Sequence, residues 1–207
     1  MLYSDLRSAV QADLGGRIDL VPTIIDNEVV QRVFYYNAEN FGSMADVDLS
    51  IVTSGGVSEY NLPQYTIEVT GMWYLLGGTV WIRLRPENYE TLVDLDCIQP
   101  TTFSPPNLYA IYGNKFKLYL TPDTQYPLKI VRIAQIPAPQ NDNDSNFWTN
   151  DAFALIRWST AGALCRAYLN MPSMADEYDA LAARELERLL RESDVKQSTG
   201  QIAAHMQ

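Results

Sequence analysis

The sequence predicts an α+β protein: a helical bundle of about four helices carrying an inserted antiparallel β sandwich or barrel. Apolar residues recur at helical spacing in the first and last thirds of the chain, and alternate with a period of two in the middle. A segment rich in Pro, Asp and Asn separates the middle from the last helices. The expected organisation is therefore a helical domain from residues 1–48 and 138–194, a β domain at 49–137, and a flexible C-terminal tail at 195–207.

Each element follows in order. Ser4 or Asp5 can cap a short helix carrying Leu6, Val10 and Leu14, which Gly15-Gly16 stops. Pro22 suits the first turn of a second helix. Its Ile25, Val29, Val33 and Tyr36 form one stripe, and Val30, Phe34 and Phe41 a second, which predicts burial on more than one side. Strands are expected at Ser50–Ser54, Glu59–Leu62 and Thr66–Tyr74, around Val80–Leu84, at Leu108–Tyr112 and Lys115–Leu120, and at Leu128–Ile136. Gly77-Gly78 and Gly113-Asn114 mark hairpin turns, and Pro100, Pro105 and Pro106 a loop. After a linker at 136–146 with nothing to bury, Thr149 or Asn150 can cap a helix running to about Leu169. Ala161, Ala163 and Ala167 let a neighbouring helix come close. Ser173 with Asp176 resembles a capping box, opening a last helix with Tyr178, Leu181, Leu186, Leu189 and Leu190. The apolar pattern ends at Val195.

With 207 residues, 47% hydrophobic and 19% charged, the chain can bury a core and is not of the disordered class. Fifteen Lys and Arg against 25 Asp and Glu give a net charge of −10, which argues against ordinary binding to nucleic acid. Residues 1–48 carry 3 basic and 8 acidic groups, 49–137 carry 6 and 7, and 138–207 carry 6 and 10, so the helical parts hold nearly all of the excess. No run of about 18 apolar residues predicts a membrane span. Met1–Asp5 lacks the basic start and apolar stretch of a signal peptide.

The residues point away from catalysis. The one histidine, His205, lies in the tail, so no Ser-His or Cys-His pair is expected. Cys97 and Cys165 lack metal spacing and read as buried structural thiols of a reducing compartment. Asp142-Asn143-Asp144-Ser145-Asn146 opens like a calcium loop, but Phe147 stands where Gly is needed and Phe153 where the bidentate Glu is needed. No phosphate loop or dinucleotide fingerprint occurs. The expectation is no enzyme, no cofactor and no metal. Two features keep a second class open, a carbohydrate-binding or glycan-hydrolysing β module. Trp73, Tyr74 and Trp81 could stack sugars, and Glu87, Glu90, Asp94 and Asp96 could supply a carboxylate pair; core or interface aromatics and a solvated acidic rim are the plainer readings.

Pro137 through Thr149, followed by Asp151-Ala152 and Leu155-Ile156, together with Tyr60-Asn61-Leu62-Pro63 and Tyr112-Gly113-Asn114, resembles the head-to-tail adaptor (connector) proteins of tailed bacteriophages. The resemblance spans about Asp5 to Arg191. It implies a structural virion protein at the head-tail junction, made in the host cytoplasm. It implies a dodecameric ring below the portal, extending a DNA channel and receiving a tail or nozzle protein, with no membrane partner. DNA would pass along an acidic wall without specific binding. On that reading the acids of the last helix, Glu177, Glu185, Glu187 and Glu192, line the channel. Val195, Gln201, Ile202, Ala203 and Met206 bind the portal, the sparse apolar groups suiting a segment that folds on its partner.

Overall fold

The computed structural model describes residues 1–16, 22–39, 41–98 and 102–205, with side chains described as far as Asp194. The chain divides into two compact units, one of Met1–Met44 with Ile136–Gln207 and one of Ala45–Gln135.

The helical unit contains α1 (Tyr3–Asp13), α2 (Pro22–Tyr36), α4 (Phe153–Ala167) and α5 (Pro172–His205), with a 3-10 turn at Gly42–Met44; α3 (Tyr89–Ile98) belongs to the other unit. Leu6 and Val10 of α1, Leu14 just past its end, and the Ile25–Val29–Val33–Tyr36 stripe of α2 are buried as their spacing requires. The second stripe of α2 departs from expectation. Phe41 is buried, but Val30 is 44% and Phe34 72% exposed, so among the described residues nothing fully covers that face.

The segment expected to have nothing to bury is built into the unit. Asp144 and Asp142 present their carbonyls to the Tyr3 and Ser4 N–H groups at 3.0 and 3.1 Å, satisfying donors that the first turn of α1 leaves free. Arg7 binds Asp26 at 2.8 Å and Asp142 at 2.9 Å. Trp148 is fully buried, and its Nε1 donates to the Ile136 carbonyl at 2.9 Å. Asn37 clasps the same residue, Nδ2 donating to its carbonyl and Oδ1 accepting from its N–H, each at 3.0 Å. Neither Thr149 nor Asn150 caps the next helix, whose N-cap is Ala152 with no side-chain hydrogen bond. Asn146 Oδ1 accepts from the Trp148 N–H at 3.0 Å, and regular helix begins only at Phe153.

The Asp144 carboxylate accepts from the Asn141 and Gln140 backbone N–H groups at 2.8 and 2.7 Å, which hold it below the ordinary Asp range. A depressed folded value means the turn's support is present above the unfolded pKa of about 3.9 and is lost as pH falls through the folded one. The Gln140 and Asn141 amide resonances should titrate with a midpoint below that of a free Asp; a midpoint at or above it would contradict the assignment.

The close approach in this unit is between α4 and α5. Ala161 is buried there, but the contact residue is Gly162, where a Cβ would lie 2.6 Å from Asp179 Oδ1 and 3.3 Å from the Ala175 carbonyl. Arg157 ties α4 to Asp13 through Nε and Nη2 at 2.6 and 2.5 Å, and Tyr178 of α5 donates to the Asp13 carbonyl at 2.9 Å. Asp176 binds Arg166 at 3.0 Å rather than closing a capping box. The helical backbone of α5 continues to His205, past the end of the apolar pattern.

The second unit corrects the expected fold. Its seven strands form one curled mixed sheet rather than a sandwich or closed barrel, and the described residues hold five α-helices, not a four-helix bundle with an insert. The strands are β1 (Ala45–Asp48), β2 (Glu59–Asn61), β3 (Thr66–Leu76), β4 (Val80–Pro86), β5 (Leu108–Tyr112), β6 (Lys115–Tyr119) and β7 (Leu128–Ala134), in the order β1-β7-β3-β4-β5-β6-β2. Every pairing is antiparallel except β4 with β5, which run parallel because α3 and the chain after it carry the crossover. Ser50–Ser54 contributes only a bridge, Val52 with Pro127. The edge strand is instead β1, where Arg132 binds Asp46 at 2.9 Å and Asp48 at 3.4 Å. The inner face packs Met72, Tyr74, Leu84, Tyr109, Phe116, Leu118, Leu128 and Ile130 against one another, so curling supplies the burial that a second sheet would otherwise give.

Candidate functional site

The outer face of the sheet has two halves. Over β5 and β6 it is covered by α3, whose Leu92 packs on Ala110 and Tyr119. In this covered half Lys117 Nζ lies 2.6 Å from Asp96 and 5.9 Å from the centre of the Tyr89 ring. Over β1, β7, β3 and β4 the face is open. Strand alternation and register bring Trp73 opposite Arg83 and Lys129, and Leu75 opposite Trp81. Lys129 Nζ sits 5.0 Å from the Trp73 ring centre and 5.1 Å from that of Trp81, and Arg83 lies 5.5 Å from Trp73. The Trp73 ring also lies on Gly71, where a Cβ would come within 2.5 Å of it. Glycine at that position lets the indole lie flat. Arg83 and Lys129 form no ion pair among the described residues.

The sugar-stacking expectation meets this geometry directly. Two cations and the strand itself occupy the surroundings of Trp73, so its ring serves as a clamp rather than a platform for a pyranose. Tyr74 is buried on the inner face. Of the acidic group, Glu90, Asp94 and Asp96 lie on α3 and Glu87 just before it, a helix rather than a loop, with Glu87, Glu90 and Asp94 exposed. Asp96 is engaged by Lys117.

The same unit contains a groove of about 720 Å³ lined by residues 61–69 with Ile111, Gly113 and Asn114. Glu68 is its only carboxylate, and Tyr65 turns into it with a φ of 66°. Tyr112 and Tyr126 are each pushed up to about 12, the first by its hydrogen bond to Glu59 and the second by burial and then Asp123. Neither is among the groove's lining residues.

Cys165 is buried, which pushes its thiol up, whereas Cys97 is exposed, contrary to expectation. The carboxylates of the calcium-like segment are directed to Arg7 and to backbone amides. Among the described residues no group of three or more His, Cys, Asp or Glu could hold a metal ion, and no helix is long and apolar enough to cross a membrane.

The four acids expected in a channel all lie on α5. Glu177 and Glu187 are exposed, with Glu187 paired to Arg191 at 3.0 Å. Glu185 and Glu192 both bind Arg188, Glu185 at 2.5 Å. Val195, Gln201, Ile202 and Ala203 lie on the last turns of α5 with side chains outside those described, and Met206 lies outside the described residues altogether. Sequence reasoning missed the Lys129 clamp, because Lys129 reaches the two tryptophans only through the pairing of β7 with β3.

An open cationic and aromatic sheet face and an uncharged helix face are surfaces suited to being covered, which is the character of an assembly component. Residues 1–204 match the family model described as SU10 adaptor protein. The chain belongs to this bacteriophage adaptor family, and its role is that of a structural adaptor among virion components. A comparison with curated proteins finds no match.

Proposed function

We propose that the chain is the head-to-tail adaptor of a tailed phage, a ring of twelve copies below the portal that extends the DNA channel and receives a tail or nozzle protein. The observation that carries the ring reading is the outer face of α2. Thr23, Asn27, Val30 and Phe34 lie along it at spacings of four, three and four, all exposed and none charged. Copies carrying −10 each repel one another, so contact between them favours faces free of charge. The acids of α5 support a channel wall that does not hold DNA: Glu177 is exposed and forms no ion pair among the described residues, and Arg188 is shared between Glu185 and Glu192. On this reading Val195, Gln201, Ile202, Ala203 and Met206 engage the portal.

Particle mass and averaged images with purified portal protein test the proposal. The wild type should form rings on the portal. Phe34→Glu should keep its melting temperature and lose ring formation, and deletion of residues 195–207 should lose portal binding. A wild-type chain that stays monomeric with portal present sinks the ring reading.

A further inference from the structure

The two halves of the outer sheet face pose the same electrostatic problem, and the fold solves it once. In the covered half an acidic helix lies over the strands, and Lys117, held beside the Tyr89 ring, receives the Asp96 carboxylate at 2.6 Å. In the open half Lys129, held between Trp73 and Trp81, and Arg83 beside it, receive none among the described residues. Cation–π contacts fix these heads in place, so little side-chain freedom is lost when a carboxylate arrives. The helical unit has the complementary feature. Arg166, at the end of α4, serves two carboxylates on the first turns of α5, Asp176 at 3.0 Å and Asp179 at 2.8 Å, leaving negative charge over. Asp176 is exposed, and the exposed Ala180 and Ala183 that follow it would let α5 lie close to a sheet.

We propose that the open half of the outer sheet face is a docking surface for α5 of a second copy, with Asp176 brought to Lys129 and Arg83. This rests on the ring reading and adds to it a contact between the β unit of one copy and the helical unit of the next. Two different patches meet, a head-to-tail arrangement of the kind that forms a ring when its rotation closes.

The test is assembly on purified portal, followed by mass at 0.1 and 0.5 M salt, with melting temperature as the folding control. Charge reversal by R83E/K129E should weaken assembly at least about tenfold, and wild-type assembly should weaken with salt. Should the double reversal fail to fold, R83Q/K129Q is expected to weaken assembly in the same direction. D176K should weaken it alone and restore part of it when combined with R83E/K129E. If the wild type does not assemble, the ring reading fails. If it assembles and the folded variants assemble equally well, the docking surface fails while the ring reading stands. Binding of duplex DNA that is lost in R83E/K129E with assembly unchanged would overturn the proposal in favour of a nucleic-acid contact.

Discussion

Replacing Trp148 by alanine is expected to destabilise the helical unit by about 3–5 kcal/mol, the range for truncating a fully buried aromatic. Its ring lies with edge contacts to Phe147 and Phe41, at centroid distances of 4.9 and 5.9 Å, and none of it reaches solvent. Truncation removes that packing and leaves a void beside Phe41 and Phe147. Trp148→Phe should cost much less. It keeps most of the apolar volume and loses one hydrogen bond, worth about 1 kcal/mol, because the Ile136 carbonyl still accepts from Asn37. Urea unfolding followed by helical circular dichroism measures both. A Trp148→Ala loss under about 1 kcal/mol would mean that the segment is not part of the cooperative unit.

The second large effect is expected at Gly162. Leucine there must displace the Asp179 carboxylate and then meet the Ala175 carbonyl and the Tyr178 Cβ, which forces α4 and α5 apart. The expected cost is about 3 kcal/mol, with loss of the Arg166 to Asp179 contact. Alanine is the informative control. It gains up to about 1 kcal/mol of helix propensity over glycine, and its single methyl presses mainly on the end of a side chain that can swing aside. Gly162→Ala should therefore fall within about 1 kcal/mol of the wild type. If leucine is as well tolerated as alanine in the same unfolding experiment, the two helices do not meet as closely as described.

Much of the helical unit was legible because burial follows spacing: Leu6 and Val10 in α1, and Ile25 through Tyr36 in α2, need no knowledge of their partners. The Val30 and Phe34 stripe shows the limit of that rule. Periodicity says that a face is apolar, and does not say whether the covering surface lies in the same chain. In the β unit the hairpins followed from alternation and turn residues, but the parallel meeting of β4 with β5 is set by a crossover and leaves no mark in either strand. The crossover helix carries its own signal, Tyr89, Leu92 and Leu95 at helical spacing, masked by the carboxylates between them. The linker was misjudged because its role depends on backbone carbonyls, which any residue supplies. Of the candidate site, the tryptophans were visible and their cations were not, since register decides which side chains meet across strands.

The pairing of β1 with β7 brings Ala45 opposite Ile133, so the chain enters and leaves the sheet unit on adjacent strands, roughly 5 Å apart. A segment whose two ends nearly touch is interchangeable. Residues 45–135 could be exchanged for a different head, or for a short turn, while α2 and the segment after Ile136 keep their places. The helical scaffold and the surface it displays are then free to diverge at different rates. An adaptor built this way can keep its grip on one neighbour while being refitted for another.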